Sequence, residues 1–166
     1  MHGDPEIASK NKGRVDGMTV SFNVYQDNDY KDLMQMIVSL YAEDAEGEQI
    51  SEIKIKSTIA EFQENPQKIN IYMFKNNDEN IGYAILVFFW SNEFGGNIIT
   101  IDELYVLKNY RGKGIAAEFL SYIKGIKGTV ALQLETTPSN LRALNYYKRL
   151  GFSPSQNTHL IKTNLK

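Results

Sequence analysis

The apolar positions of the chain change period several times after Met18, and each change marks an element. In "MTVSFNVY" (18–25), Val20, Phe22 and Val24 alternate with polar partners, the period of two expected of a half-buried strand. Asp27, Asn28 and Asp29 follow with side-chain oxygens suited to capping a helix. Leu33, Met36, Ile37, Leu40 and Tyr41 then recur at spacings of three and four, which predicts a first helix. Ile55, Thr58, Ile59 and Phe62 repeat the pattern in a second, which "ENP" ends at Pro66 because proline cannot continue it. "AEDAEGEQIS" between them reads as an acidic, mobile loop. "INIYMF", "IGYAILVFFW" and "IITIDELYVL", separated by the turns "KNNDEN" and "SNEFGGN", predict three antiparallel strands. Past "RGKG", Ile115, Ala116, Phe119, Leu120 and Ile123 form a helical stripe, and "TVALQLET" is a strand. "PSNLRALNYYKRLGF" is a helix opened by Pro138 and Ser139 and closed by Gly151. "NTHLIKTNLK" reads as a final strand.

Ahead of Met18 the pattern fails. "MHGDPEIASKNKGRVDG" holds three glycines, several charges and few apolar residues, so residues 1–17 are expected to be a flexible tail or a cloning remnant, and 18–166 the folded domain. The 166 residues, 42% apolar and 23% charged, suit one globular domain with a proper core. A net charge of -2 lacks the electrostatic footprint of a nucleic-acid binder. With no cysteine, disulfides, thiolate metal sites and a cysteine nucleophile are excluded, and the chain suits a reducing cytoplasm. The apolar run Ile81–Trp90 is about half the ~20 residues a membrane helix needs, and the N-terminus lacks a signal peptide's apolar core. A soluble, cytoplasmic protein is expected. His2 and His159 have no ligand partner at useful spacing, so no metal is expected.

The chemistry begins at "NYRGKGIAA" (109–117), where an apolar strand hands over to a helix. A helix N-terminus carries unpaired N–H groups and the positive end of the macrodipole, so a glycine-rich turn there is able to cradle a phosphate. Gly112 and Gly114 leave the backbone open; Arg111 and Lys113 add positive charge. A plain surface turn with two basic residues is the alternative, against which the strand-to-helix context weighs. Neither G-x-x-x-x-G-K-[ST] nor G-x-G-x-x-G is present, so a nucleoside-triphosphate loop is not expected.

"IDELYVLKNYRGKGIAAEFL" resembles the pyrophosphate-binding motif of the GNAT acyl-CoA N-acyltransferases, met here by Arg111, Gly114 and Ala116. "NLRALNYYKRLGF" is similar to the family's second motif through Asn140, Ala143, Tyr147, Gly151 and Phe152. Two motifs in order at the right separation are far more specific than one, and the element order resembles the family over about nine tenths of the chain. The resemblance implies an α+β sandwich: a mixed, mostly antiparallel sheet of about six or seven strands flanked by about four helices, its fourth and fifth strands splayed. It further implies acetyl-CoA as co-substrate, bound by Leu104, Tyr105 and Val106 through backbone groups and by Arg111, Gly112, Lys113, Gly114, Ile115, Ala116 and Ala117 at the turn. Asn140, Ala143 and Tyr147 join this set, Asn140 either bonding the pantetheine or capping its helix. Tyr147 is implied as proton donor to the leaving thiolate.

Amine acetylation also needs a base, which the family places on the fourth strand, where Asp102 and Glu103 stand. Strand side chains alternate faces, so one of the two points into the cleft, and a bulge decides which. Strands of the diamine acetyltransferases resemble "IDELYV" and favour the first acid, while other branches favour the second; Glu103 is preferred here. The acceptor side is implied to involve Tyr41, Asp44, Trp90, Asn92, Glu93 and Phe94, with Asp44, Glu93 and Glu103 converging on a small cationic amine. An N-acetyltransferase is thus expected, with an acyl-CoA sensor lacking turnover and a protein N-acetyltransferase as alternatives. Neither a membrane nor nucleic acid is an expected partner; many members of the family pair as dimers, so the resemblance implies a homodimer, for which the final strand "NTHLIKTNLK" is suited.

Overall fold

In the computed structural model the described residues are 12–43 and 50–163. The chain divides into two compact units, Met1–Glu135 and Thr136–Lys166. The first holds one six-stranded sheet in which strand order follows chain order: β1 (Lys12–Val15), β2 (Met18–Val24), β3 (Ile69–Asn76), β4 (Glu79–Ser91), β5 (Gly96–Val106) and β6 (Thr129–Leu134). All pairings are antiparallel except β5 with β6. The fourth and fifth strands expected from the sequence are therefore β5 and β6.

β1 overturns the expectation that the fold starts at Met18. Lys12–Val15 pairs with Met18–Ser21 across a turn in which Asp16 and Gly17 have φ of 48° and 76°. Asp-Gly with both residues left-handed is the two-residue hairpin whose twist matches that of its strands. Gly13 and Val15 are buried and Lys12 and Arg14 exposed, so the strand has one covered face. Residues 1–11 lie outside the described residues.

The helices α1 (Tyr30–Glu43) and α2 (Glu52–Glu64) cover one face of the sheet. Leu33, Met36 and Ile37 of α1 and Ile55, Ile59 and Phe62 of α2 enclose a core with Ile71, Met73, Tyr83, Ile85 and Tyr105. A 3-10 turn at Asp27–Asp29 precedes α1. Asp29 is buried there, accepting from the Gln26 backbone at 3.1 Å and from Lys75 Nζ at 2.9 Å. The helix α3 (Ile115–Ile123) packs on the opposite face, where Phe119 meets Phe22, Tyr72 and Phe74 with ring centroids 4.6–5.6 Å apart.

The second unit contains α4 (Leu141–Arg149). It starts three residues later than Pro138, because the Asn140 side chain accepts from the Ala143 backbone at 3.0 Å and so caps it. Gly151, at φ 92°, ends it as expected. Residues 152–163 carry no helix or strand, so the expected final strand, and with it that basis for a homodimer, is corrected.

Candidate functional site

Strand β5 changes parity partway along. Leu86 lies opposite Ile101 and Ile85 opposite Glu103, which leaves Asp102 without a partner on β4. This is a β-bulge, one extra residue that shifts the alternation of everything beyond it. Ile101 and Glu103, two apart, consequently face opposite sides of the sheet, and Glu103 emerges with Ile85 and Tyr105 on the α1 side.

There its carboxylate is held by two phenols. Tyr41 on α1 donates to Oε1 at 2.9 Å, and fully buried Tyr83 on β4 donates to Oε2 at 2.7 Å. Burial raises the Glu103 carboxyl above its ordinary range; the hydrogen bonds from Tyr83 and Tyr41 pull it down, and Asp102 pushes it further up. Burial, then the charge on Glu103, raises the Tyr83 hydroxyl so that it stays protonated. Asp102 is raised too, by desolvation and by Glu135, but it stands exposed to water, which limits the effect. Tyr83 was not visible from the sequence as a site residue, since a tyrosine within "IGYAILVFFW" reads as core.

The opposite edge of β5 opens at the same point. β6 pairs with it only from Asn97 to Ile101, so Asp102–Val106 run on without a neighbour on that side. Leu104, Tyr105 and Val106 pair with Ala84, Tyr83 and Gly82 of β4 on their other edge. Beyond them Lys108–Tyr110 forms a 3-10 turn, tied down by the Tyr110 hydroxyl donating to Glu79 at 2.6 Å. Gly112 (φ 78°) and Gly114 (φ 87°) both take the left-handed conformation, which lets the chain turn sharply into α3. The first turn of α3 runs through Ile115, Ala116 and Ala117, whose N–H groups precede the first intrahelical partner, Glu118 N–H to Gly114. Lys113 Nζ lies 5.4 Å from the centre of the Tyr110 ring.

Arg111, expected at the cofactor, is bonded here within the protein. Its Nε donates to the Val106 carbonyl at 2.7 Å, and Nη1 and Nη2 grip the Glu43 carboxylate at 2.9 and 3.0 Å. The guanidinium lies 5.0 Å from the centre of the Tyr105 ring. Hydrogen bonding to Arg111 is the main cause that lowers the Glu43 carboxyl below its usual range. A cleft of about 510 Å³ opens beside this group, lined by Ser39, Glu43, Tyr105 and Lys108 among others. Nothing in the sequence signalled Glu43, which closes α1 68 residues before its partner.

In the second unit Tyr147 sits with its ring 5.4 Å from Tyr146 and 5.7 Å from Phe152. Burial, then Tyr146, pushes its hydroxyl up to about 12. Asn140 serves as the helix cap, and Ala143 receives that bond.

Of the expected acceptor residues that are described, Tyr41 is the one hydrogen-bonded to Glu103. Asp44 lies outside the described residues. Asn92, Glu93 and Phe94 form the turn of the β4–β5 hairpin, where Trp90 (66%) and Phe94 (56%) are strongly exposed. Glu103 is seven residues along β5 from Gly96, roughly 20 Å at about 3.3 Å per residue. Glu93 and Glu103 therefore do not form one cluster around a small amine, and that expectation is corrected. Among the described residues no group of three or more His, Cys, Asp or Glu is placed to hold a metal ion, and no helix is long and apolar enough to cross a membrane.

The chain belongs to the acetyltransferase (GNAT) family, which residues 34–152 match. The mouse thialysine N-epsilon-acetyltransferase is 31% identical over 74 residues, 43% of each chain. The chain thus spans less than half the length of the curated relatives it matches. A possible acetyltransferase from Clostridium difficile 630 superimposes with a TM-score of 0.76 at 19% identity, over 89% of this chain and 99% of that one. AAC(6')-Iy, in complex with a bisubstrate analog, CoA-S-monomethyl-acetylneamine, superimposes with a TM-score of 0.64 at 14% identity, over 87% and 98%. The fold is that of the family: a mixed six-stranded sheet that parts between β5 and β6.

Proposed function

We propose that the protein is an N-acetyltransferase that moves an acetyl group from acetyl-CoA to a primary amine of a small molecule, directly within a ternary complex. The observation that carries the reading is the middle of β5, where the bulge at Asp102 turns the Glu103 carboxylate to one side just where the pairing with β6 stops. Acetyl-CoA supplies the activated acetyl thioester. The free edge of β5 at Leu104–Val106 suits the amide groups of an extended pantetheine, and the glycine turn with the first N–H groups of α3 suits a pyrophosphate, assisted by Lys113. Similarity to the mouse thialysine N-epsilon-acetyltransferase, and to the fold of AAC(6')-Iy in complex with the bisubstrate analog CoA-S-monomethyl-acetylneamine, supports an amine as acceptor.

In this reading Glu103 takes a proton from the acceptor ammonium, directly or through one water, and its raised basicity suits the task. The freed amine nitrogen bonds to the acetyl carbon, the C–S bond breaks with its electron pair leaving on sulfur, and Tyr147 gives its phenolic proton to that sulfur; the nitrogen, now cationic, loses its second proton to water, which returns one to Tyr147 and leaves a neutral amide. A hydroxyl pushed up to about 12 holds a proton at neutral pH, while the upward shift makes it a weaker acid than a free phenol.

The test is mass spectrometry of a panel of amines incubated with acetyl-CoA and the protein. Transfer to at least one amine is expected. Glu103→Gln and Tyr147→Phe should each lower kcat by roughly 10²–10⁴-fold, Tyr147→Phe leaving acetyl-CoA affinity nearly unchanged. Acetyl-CoA binding with no transfer to any amine would turn the reading into that of a sensor, and wild-type turnover in Tyr147→Phe would leave that residue a packing group.

A further inference from the structure

The last turn of α1 touches both halves of the site just described. Tyr41 reaches the Glu103 carboxylate, and Glu43, two residues on, reaches Arg111 at the head of the turn into α3. The second link is dense for a surface contact. Arg111 presents its planar fork to both Glu43 oxygens, its remaining Nε ties back to the Val106 carbonyl, and its face lies on Tyr105. The Tyr105 hydroxyl also approaches Glu43, at 3.4 Å. A two-bond fork of this kind fixes orientation as well as position, in contrast to an ordinary single-contact surface pair. Each nitrogen of the guanidinium is thereby engaged at least once, so Arg111 ties the end of β5 at Val106 to Glu43.

We infer that Glu43 is a positioning residue: through Arg111 it braces the turn at 107–114 so that the N–H groups leading into α3 are set for the cofactor's phosphates, and it couples the acceptor-side helix to the cofactor side. The inference rests on the acetyltransferase reading for the identity of the ligand but not for the brace. Two predicates follow. Removing Glu43 loosens the turn even with no ligand present. Removing Glu43 and Arg111 together does no more harm than removing Arg111 alone, because Glu43 acts through Arg111, whereas Arg111 also holds the Val106 carbonyl directly.

The experiment pairs two measurements on wild type, Glu43→Gln, Glu43→Ala, Arg111→Ala and the double alanine variant. Hydrogen exchange of amides 107–117 in the ligand-free protein should quicken in all four variants, while exchange in β3 and β4 stays as in wild type. Calorimetry should show acetyl-CoA binding weakened by about tenfold in Glu43→Ala, within the range that such couplings span, with the double variant no weaker than Arg111→Ala. In turnover the KM for acetyl-CoA should rise far more than kcat falls at saturation. Should Glu43→Ala prove unstable, the isosteric Glu43→Gln carries the same comparison, since it keeps the shape and loses the charge-assisted fork. Wild-type exchange and affinity in the Glu43 variants, or strictly additive losses in the double variant, would overturn the inference. A wild-type chain that fails to bind acetyl-CoA would overturn the acetyltransferase reading instead, while the exchange data still decide the brace.

Discussion

At the scale of the residue, Glu103 carries a cost as well as a task. A carboxyl whose folded-state value lies above its ordinary one favours the fold when protonated; that contribution is complete at low pH and is lost as pH rises through the raised value. Glu103→Gln does not titrate, so its Tm is expected to exceed wild type at pH 7 and to lose that advantage in mildly acidic buffer, as thermal unfolding across a pH series would reveal. A sacrifice of stability for activity of this kind is common at functional sites. The two phenols act in the opposite sense, favouring the charged carboxylate. In Tyr83→Phe one of them is gone, so the acid limb of the kcat/KM profile should move to higher pH; a limb that stays where it was would mean that Glu103 is not the group titrating there. The preference for Glu103 over its acidic neighbour draws nothing from the hydrophobic pattern, because the choice rests on one unpaired residue, Asp102, and a bulge leaves no mark there.

At the scale of the element, what the sequence made legible was what local patterning controls. The faces of α1, α2 and α3 and the meander β3–β4–β5 stand where periodicity put them. The start of the fold did not, although "RVDGM" held the signal: Asp-Gly flanked by apolar residues is a strong short-range hairpin mark, here masked by the polar run before it. A chain beginning at Met18 would lose β1 and with it buried Val15, so its Tm should fall clearly in a thermal melt; an unchanged Tm would restore Met18 as the boundary. The turn into α3 carries a second consequence. At Gly114 a new Cβ would meet only Val15 Cγ1, at 3.5 Å, so space is not the obstacle. The obstacle is φ 87°, and Gly114→Ala is expected to cost about 1–2 kcal/mol in urea unfolding as well as weakening acetyl-CoA binding. Substitution there therefore tests the turn's shape together with its contact to phosphate.

At the scale of the whole molecule, contacts far apart in sequence were the part that could not be read. Glu43 with Arg111, and Tyr41 with Glu103, join α1 to the end of β5 across more than sixty residues, and no single-chain periodicity encodes such a pairing. Of the expected acidic mouth, Asp44 lies outside the described residues, and the length of β5 sets the hairpin turn that carries Glu93 far from Glu103. One feature of the sheet bears on how this molecule comes into being. Because the strands lie side by side in chain order, each pairing joins successive strands, and three of the five close through short turns. The long closures are β2 to β3, spanning both helices of one face, and β5 to β6, spanning α3. Loop-closure entropy has to be met before such contacts stabilise anything. Folding is therefore expected to nucleate in the β3–β4–β5 meander and add its outer strands late. In stopped-flow kinetics, Ile71→Val and Ile85→Val should mainly slow folding, whereas Val15→Ala should mainly speed unfolding.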